Sequence, residues 1–384
     1  MWAEDRARLL VIISIFAMVT VNQTGTGILS AVMPAYLATS GYSASAAGAV
    51  STSFSITFLI GCVIGPQLVR AIGPARAPVI IGALNAALAL LHWAFPGPVS
   101  WSLFRAAGGI VTASYFVLIE SWLAAQTTPA TRGLIFGLYM VLIRVAFALG
   151  QIVISFVEPS ALVQLLIVAA LLYAASPALG PRGAVMMPKM ITPSAAALLE
   201  LPRLAPAAAI GSAVHGLVFG SVPNLIPKWG VDVGYSIVDI GHSLAAMQLG
   251  GVFLQLPISY LSDRLERRTV MATCTLATAS LSLAILALPT AGGAVSLALM
   301  FLWGGFSSSL YSLASAHAAD LAPAEKRVAW VSSIMLLWGL GAAAGPLIAS
   351  SMMDMLGSSW LWRYGAIAST SAGLYLIWRK IVRP

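Results

Sequence analysis

The chain has 384 residues; 59% are hydrophobic, 8% are charged, and the formal net charge is +8. A soluble domain carries roughly 25% charged residues, so a water-soluble exterior is excluded and lipid must cover most of the surface. The basic residues fall in short gaps between apolar runs, which points to a membrane face as the partner and not to nucleic acid.

A membrane-crossing helix needs about 20 mainly apolar residues. The first six qualifying stretches run over 9–37, 45–69, 77–95, 99–123, 132–156 and 161–178. The first is too long for a signal peptide and is read as a span. It carries a polar run, Asn22, Gln23, Thr24 and Thr26. The second holds Cys62; with Cys274 far away in another apolar run, core packing is expected for both and no disulfide. The fourth contains Arg105 and Glu120, and the fifth contains Arg144 near its middle. An ionised group in mid-membrane costs at least ~2.5 kcal/mol, so each should face a cavity or a partner. The two arginines are expected to attract an anionic group or to tune a proton carrier; for Arg105 the alternative is a bond to backbone carbonyls of the first span. Glu120 is within about 60° of the Arg105 face but about 22 Å along the helix axis, too far to pair. It is either a proton acceptor or a gate charge paired with Arg70 or Arg132.

Residues 179–203 make the longest polar interruption, with Pro181, Pro188, Pro193 and Pro202. They are expected to be a cytoplasmic linker between an N-terminal bundle, 1–178, and a C-terminal bundle, 204–384. The second set of spans runs over 204–227, 237–261, 270–288, 293–317, 327–353 and 358–378. His215 in the seventh and His242 early in the eighth raise a metal question, because Cu(I) favours imidazole and thioether ligands. His242 and Met247 are five residues apart, about 140° around a helix, and do not share a face. No metal site is expected, and His215, His242 and Met247 stay as residual candidates. The tenth span carries Ser307, Ser308, Ser309 and Tyr311. Polar residues of this kind either line a path or bond between helices. Tyr115, Tyr139, Trp303 and Trp338 are candidate aromatic walls.

Basic residues also set the orientation. With the N-terminus inside, sixteen fall inside, only Lys228 and Arg363 fall outside, and Arg105 and Arg144 lie within the membrane. A missed span would scramble this asymmetry, so both termini are expected in the cytoplasm. The halves echo each other as well. Gly108-Gly109 through Tyr115 resembles Gly304-Gly305 through Tyr311, Arg132 precedes Gly150 as Arg327 precedes Gly345, and Arg70 matches Arg264. Three matches in register argue for duplication.

The loop Ser262-Asp263-Arg264-Leu265-Glu266-Arg267-Arg268 resembles the signature loop of the major facilitator superfamily, Gly-x-x-x-Asp-Arg-x-Gly-Arg-Arg. Its counterpart, Gly65 to Arg76, keeps Gly65, Arg70 and Gly73 but has Val69 in place of the acid. Arg105-x-x-x-Gly109 resembles a second family motif, linked there to proton coupling. Glu120-Ser121-Trp122-Leu123, Arg132-Gly133, Tyr139-Met140, Ala148 to Gln151 and Leu256-Pro257-Ile258 are similar to the bacterial YcaD-like branch. The resemblance implies an all-α fold of about twelve transmembrane helices in two pseudo-symmetric six-helix bundles. It implies a cavity lined by spans one, four, seven and ten, and a gating loop of Arg70, Asp263, Arg264, Arg267 and Arg268. Some relatives import copper with His and Met in spans seven and eight, a pattern this sequence does not repeat cleanly.

The expected function is secondary transport of a small solute or ion across a bacterial inner membrane by alternating access, coupled to protons. The chain is read as a monomer without a cofactor. A copper or other metal importer is the alternative, and a sensor or assembly factor on a transporter scaffold a further one. No nucleotide-binding loop, His-Glu-x-x-His or Gly-x-Ser-x-Gly occurs, so neither direct use of ATP nor an intramembrane enzyme is expected.

Overall fold

The computed structural model describes residues 2–128, 131–181, 195–287, 293–323 and 326–382. In chain order the helices are α1 (Trp2–Thr39), α2 (Ala44–Ile72), α3 (Ala77–Ala94), α4 (Pro98–Gln126), α5 (Arg132–Ile152), α6 (Leu165–Ala175), α7 (Ala195–Leu204), α8 (Pro206–Phe219), α9 (Val222–Asp232), α10 (Ile237–Arg264), α11 (Arg267–Ala287), α12 (Gly293–Leu321), α13 (Arg327–Leu356) and α14 (Trp360–Val382). Short 3₁₀ turns extend α5 and both ends of α6. Among the described residues there is no strand. That is the expected outcome in lipid, where a helix satisfies its own backbone polar groups.

Among the described residues eleven segments are long and apolar enough to cross a membrane, and they coincide with the first eleven expected spans. The twelfth, α14, has a spanning length of 23 residues but falls below that apolar standard. It carries Ser369, Thr370 and Ser371 in its middle and Arg363, Arg379 and Lys380 toward its ends. The seventh span is two helices, α8 and α9. Pro223 lacks the N–H that would continue the α8 ladder, so the helix breaks after Phe219. The Asn224 side chain donates to the Gly220 carbonyl at 2.8 Å across the break. Of the expected linker, 182–194 lie outside the described residues. Its last part is α7, whose Leu201 packs with Ala205, Trp330 and Ile334 beneath α13.

The duplication read from the sequence reappears as matching close contacts. α2 packs on α4 as α10 packs on α12, and α1 on α5 as α8 on α13. The glycines explain why. A Cβ on Gly150 would run into the Thr24 carbonyl oxygen of α1, and one on Gly345 into the Leu217 carbonyl oxygen of α8. Small residues at these positions let backbones touch, which is how helices gain packing energy in lipid.

Candidate transport pathway

α14 ends on the face of the bundle that carries the α10–α11 loop; Lys380 of α14 meets Glu266 of that loop at 3.1 Å. This is the basic face. On the opposite face the two halves are locked together. Asp354, near the end of α13, accepts from the backbone N–H groups of Ala44 (2.8 Å) and Ser45 (2.9 Å) and from the Ser45 hydroxyl. It therefore caps the first turn of α2, a helix of the other half, beside that helix's own cap Ser43. Farther in, Thr52 donates to the Ala343 carbonyl at 2.9 Å, and Ser155 of the turn after α5 to that of Val238 at 3.4 Å.

These contacts reach inward to the levels of Leu59 against Gly339 and Arg144 against Gly251. Arg144 reaches from α5 across the seam. A Cβ on Gly251 would stand 2.7 Å from Nη1 of Arg144 and 2.9 Å from the Ser308 hydroxyl, so the bare backbone of Gly251 makes the room these two groups share. His215 of α8 is within electrostatic range of Arg144 and is bonded to the backbone of Ser307, while its Nδ1 is buried without a partner. Its ring lies 5.1 Å from Phe219 and 6.2 Å from Tyr311, and Tyr311 lies 6.1 Å from Trp338. The α5 arginine and the α8 and α12 polar residues, separate in sequence, thus form one cluster at the meeting plane of the halves.

Glu120 lies toward the basic face from this cluster. It is exposed and within electrostatic range of Cys62, Tyr139 and Tyr311, which come from both halves. Neither expected gate partner reaches it: Arg70 donates to the Pro66 carbonyl at 3.2 Å and Arg132 to the Thr127 hydroxyl at 3.4 Å. Among the described residues no ion pair involves Glu120, Arg105 or Arg144. Arg105 is not bonded to carbonyls of α1. Its guanidinium covers the Phe54 ring at 3.9 Å, a cation–π contact. It lines a cavity of about 10 Å³ with Ser30, Ser51 and Asn224, room for about one water.

Other expected site residues sit away from the seam cluster. Trp303 is fully buried, its Nε1 donating to Ser282 at 2.9 Å, and stands behind Phe219 at 6.2 Å. Tyr115 is packed in the core of the N-terminal half beside Ile15 and Met18. Asn22 and Gln23 are buried; Gln23 accepts from Thr26 at 3.3 Å, which accepts from Tyr173 at 3.1 Å. His242 is half-buried early in α10, and buried Met247 packs its backbone against Gly304. Among the described residues no three of His, Cys, Asp and Glu gather as a metal site would need.

Of the expected gating residues, those of the α10–α11 loop form a network within the second half. Arg267 pairs with Asp263 at 2.9 Å and with Asp320 of α12, and donates to Ser262 at 3.0 Å. Arg268 pairs with Glu266 at 2.7 Å, and Arg264 covers the Tyr260 ring at 4.4 Å. Glu266 lies outside the spanning helices. Partial burial alone would raise its carboxyl; hydrogen bonds from Lys380 and Thr269 and the charge of Arg268 outweigh that and hold it below the ordinary carboxylate range.

Residues 208–384 match the Major Facilitator Superfamily profile. The chain is 27% identical over 366 residues to the MFS-type transporter YcaD of Escherichia coli O139:H28 (strain E24377A / ETEC), covering 91% of this chain and 90% of that protein. Its second half thus matches that superfamily, and nearly the whole chain is similar to MFS-type transporters. Another homologue, an MFS-type transporter of Enterobacter sp. (strain 638), is 27% identical over 331 residues, 85% of each chain. Solved transporter structures share the fold. A point mutant of the nucleoside transporter NupG superposes with a TM-score of 0.76 at 15% identity, over 97% of this chain and 99% of that one. A bacterial homologue of the human lysosomal transporter Spinster, inward-facing and unoccupied, gives 0.72 at 14% identity, over 97% and 95%. The chain is therefore a multi-pass membrane transporter.

Proposed function

We propose that this transporter moves a small solute across a bacterial inner membrane by alternating access, driven by the proton gradient, with Glu120 as the proton carrier and Arg144 at the substrate site. The observation that carries the reading is the pair of unpartnered charges along the seam. Arg144 and Glu120 have no ionic partner among the described residues, although a charge at such depth is costly. They lie between a face where the halves are latched by Asp354 and a face toward which Glu120 is exposed. That arrangement suits one arm of the cycle, closed outward and open to the cytoplasm. The orientation follows from the basic face being cytoplasmic, which puts both termini and the 179–203 linker there. The functional unit is the monomer, with the bundles 1–178 and 204–384 rocking about the seam.

Pyranine-loaded proteoliposomes test the coupling. A transported solute should acidify the lumen under an inward proton gradient, and Glu120→Gln should abolish that acidification while leaving solute binding intact. Undiminished solute-dependent acidification in Glu120→Gln would remove Glu120 from the carrier role.

A further inference from the structure

We infer that the seam cluster binds a small organic anion, its charged head between Arg144 and Ser308 and its planar apolar body against Phe219, Tyr311 and Trp338. The inference rests on the transport reading above and names its substrate class.

The charge of the site comes first. Arg144 is in the spanning part of α5 with no acidic side chain within electrostatic range among the described residues. It makes no hydrogen bond or ion pair among them either, so the protein itself does not neutralise it. Well inside spans one to six the formally charged residues Arg105, Arg144 and Glu120 sum to one positive charge, which disfavours a cationic ligand. A guanidinium offers a planar fork of donors that fits a carboxylate or sulfonate in two parallel hydrogen bonds.

The geometry supplies a second donor beside the first. The bare backbone of Gly251 lets the Arg144 Nη1 and the Ser308 hydroxyl converge, 2.7 and 2.9 Å from where a Cβ would stand, and Arg144 itself is only half-buried. Among the described residues the Ser308 hydroxyl makes one bond, a long one of 3.3 Å to the Gly305 carbonyl, so it can turn to an incoming oxygen. His215 adds a buried Nδ1 that lacks a partner. Beyond these polar atoms the rings of Phe219, Tyr311 and Trp338 are all half-exposed. Such a wall gains nothing from an inorganic anion and stacks well on a flat organic body. Convergent polar groups against an aromatic wall are the usual make-up of a small-molecule site.

Purified protein in detergent tests this with benzoate, benzamide and inorganic phosphate, read by thermal stabilisation and by quenching of tryptophan fluorescence. Benzoate should bind; its neutral isostere benzamide and phosphate should not. Arg144→Gln should weaken benzoate by about thirtyfold or more, the factor that corresponds to ~2 kcal/mol for truncating one member of a buried charge pair. Arg144→Lys, which keeps the charge but loses the fork, should fall between, and a monodisperse elution profile for each variant guards against misfolding. Equal binding of benzamide or phosphate, or benzoate binding unchanged in Arg144→Gln, would overturn the anion site. Uptake of labelled benzenesulfonate, which does not leak across lipid as a free acid, separates the two readings. Anion binding without proton-driven uptake would sink the transport reading and keep the site. Proton-driven uptake of another solute by protein that binds neither benzoate nor benzenesulfonate would keep transport and sink the anion class.

Discussion

At the scale of single residues, the loop carboxylate Glu266 gives the cleanest pH test. Its folded-state pKa is held down, so its contribution to stability is complete above the unfolded value of about 4.3 and is lost as pH falls through the folded value. Glu266→Gln should therefore lower the melting temperature at pH 7, and the gap from wild type should close as the pH is taken down toward 3. Gly251 gives a test of a different kind. In Gly251→Ala the new methyl group meets the far end of the Arg144 side chain, which is flexible and can move. Melting should change little while uptake falls sharply; unimpaired uptake would mean that the position of Arg144 is unimportant. The charges themselves were legible in the sequence, because one Arg or Glu in an apolar run stands out without any fold. Gly251 was not, since its importance lies in what faces it from α5 and α12. Trp303 was legible as a large aromatic on the right helix, but the side of α12 it occupies turns it toward Ser282 and the core.

At the scale of helices, the α2–α13 junction carries a latch that the sequence concealed. Asp354 reads as an ordinary acid at a span end, and the amides it caps are 310 and 309 residues away. Replacing a capping side chain with Ala costs ~0.5–2 kcal/mol, and every ~1.4 kcal/mol moves an equilibrium tenfold. Asp354→Ala should thus shift the population toward a form open on that face. Spin labels at the exposed residues Tyr42 and Met355 would report a longer distance in the variant; an unchanged distribution would show that the cap does not hold the face shut. The glycine contacts predict a stability effect instead. Gly150→Val forces a side chain onto the Thr24 carbonyl, backbone that cannot swing aside, and should cost ~1–3 kcal/mol in detergent melts. The span pattern and the twofold echo were readable because lipid leaves few ways to satisfy a backbone. The break between α8 and α9 was written in Pro223, yet an apolar run gives no reason to stop counting there.

For the whole molecule, the basic face predicts that reporter fusions at residues 1 and 384 give the same cytoplasmic signal, and that light scattering of the detergent complex returns one chain. Opposite signals would require a different number of crossings. The two bundles are alike in packing but not in electrostatics. All six ion pairs among the described residues involve the chain from Glu200 onward, and four of them knot the basic ends of α10, α11, α12 and α14. The corresponding corner of the first bundle has Val69 where an acid would stand, and Arg70 bonds only to its own helix. The rocking cycle proposed above would therefore work on two levers of unequal stiffness. The braced one would keep its shape as the cleft narrows, and the flexing would fall on the inner ends of α2, α4 and α5, the helices that surround Glu120.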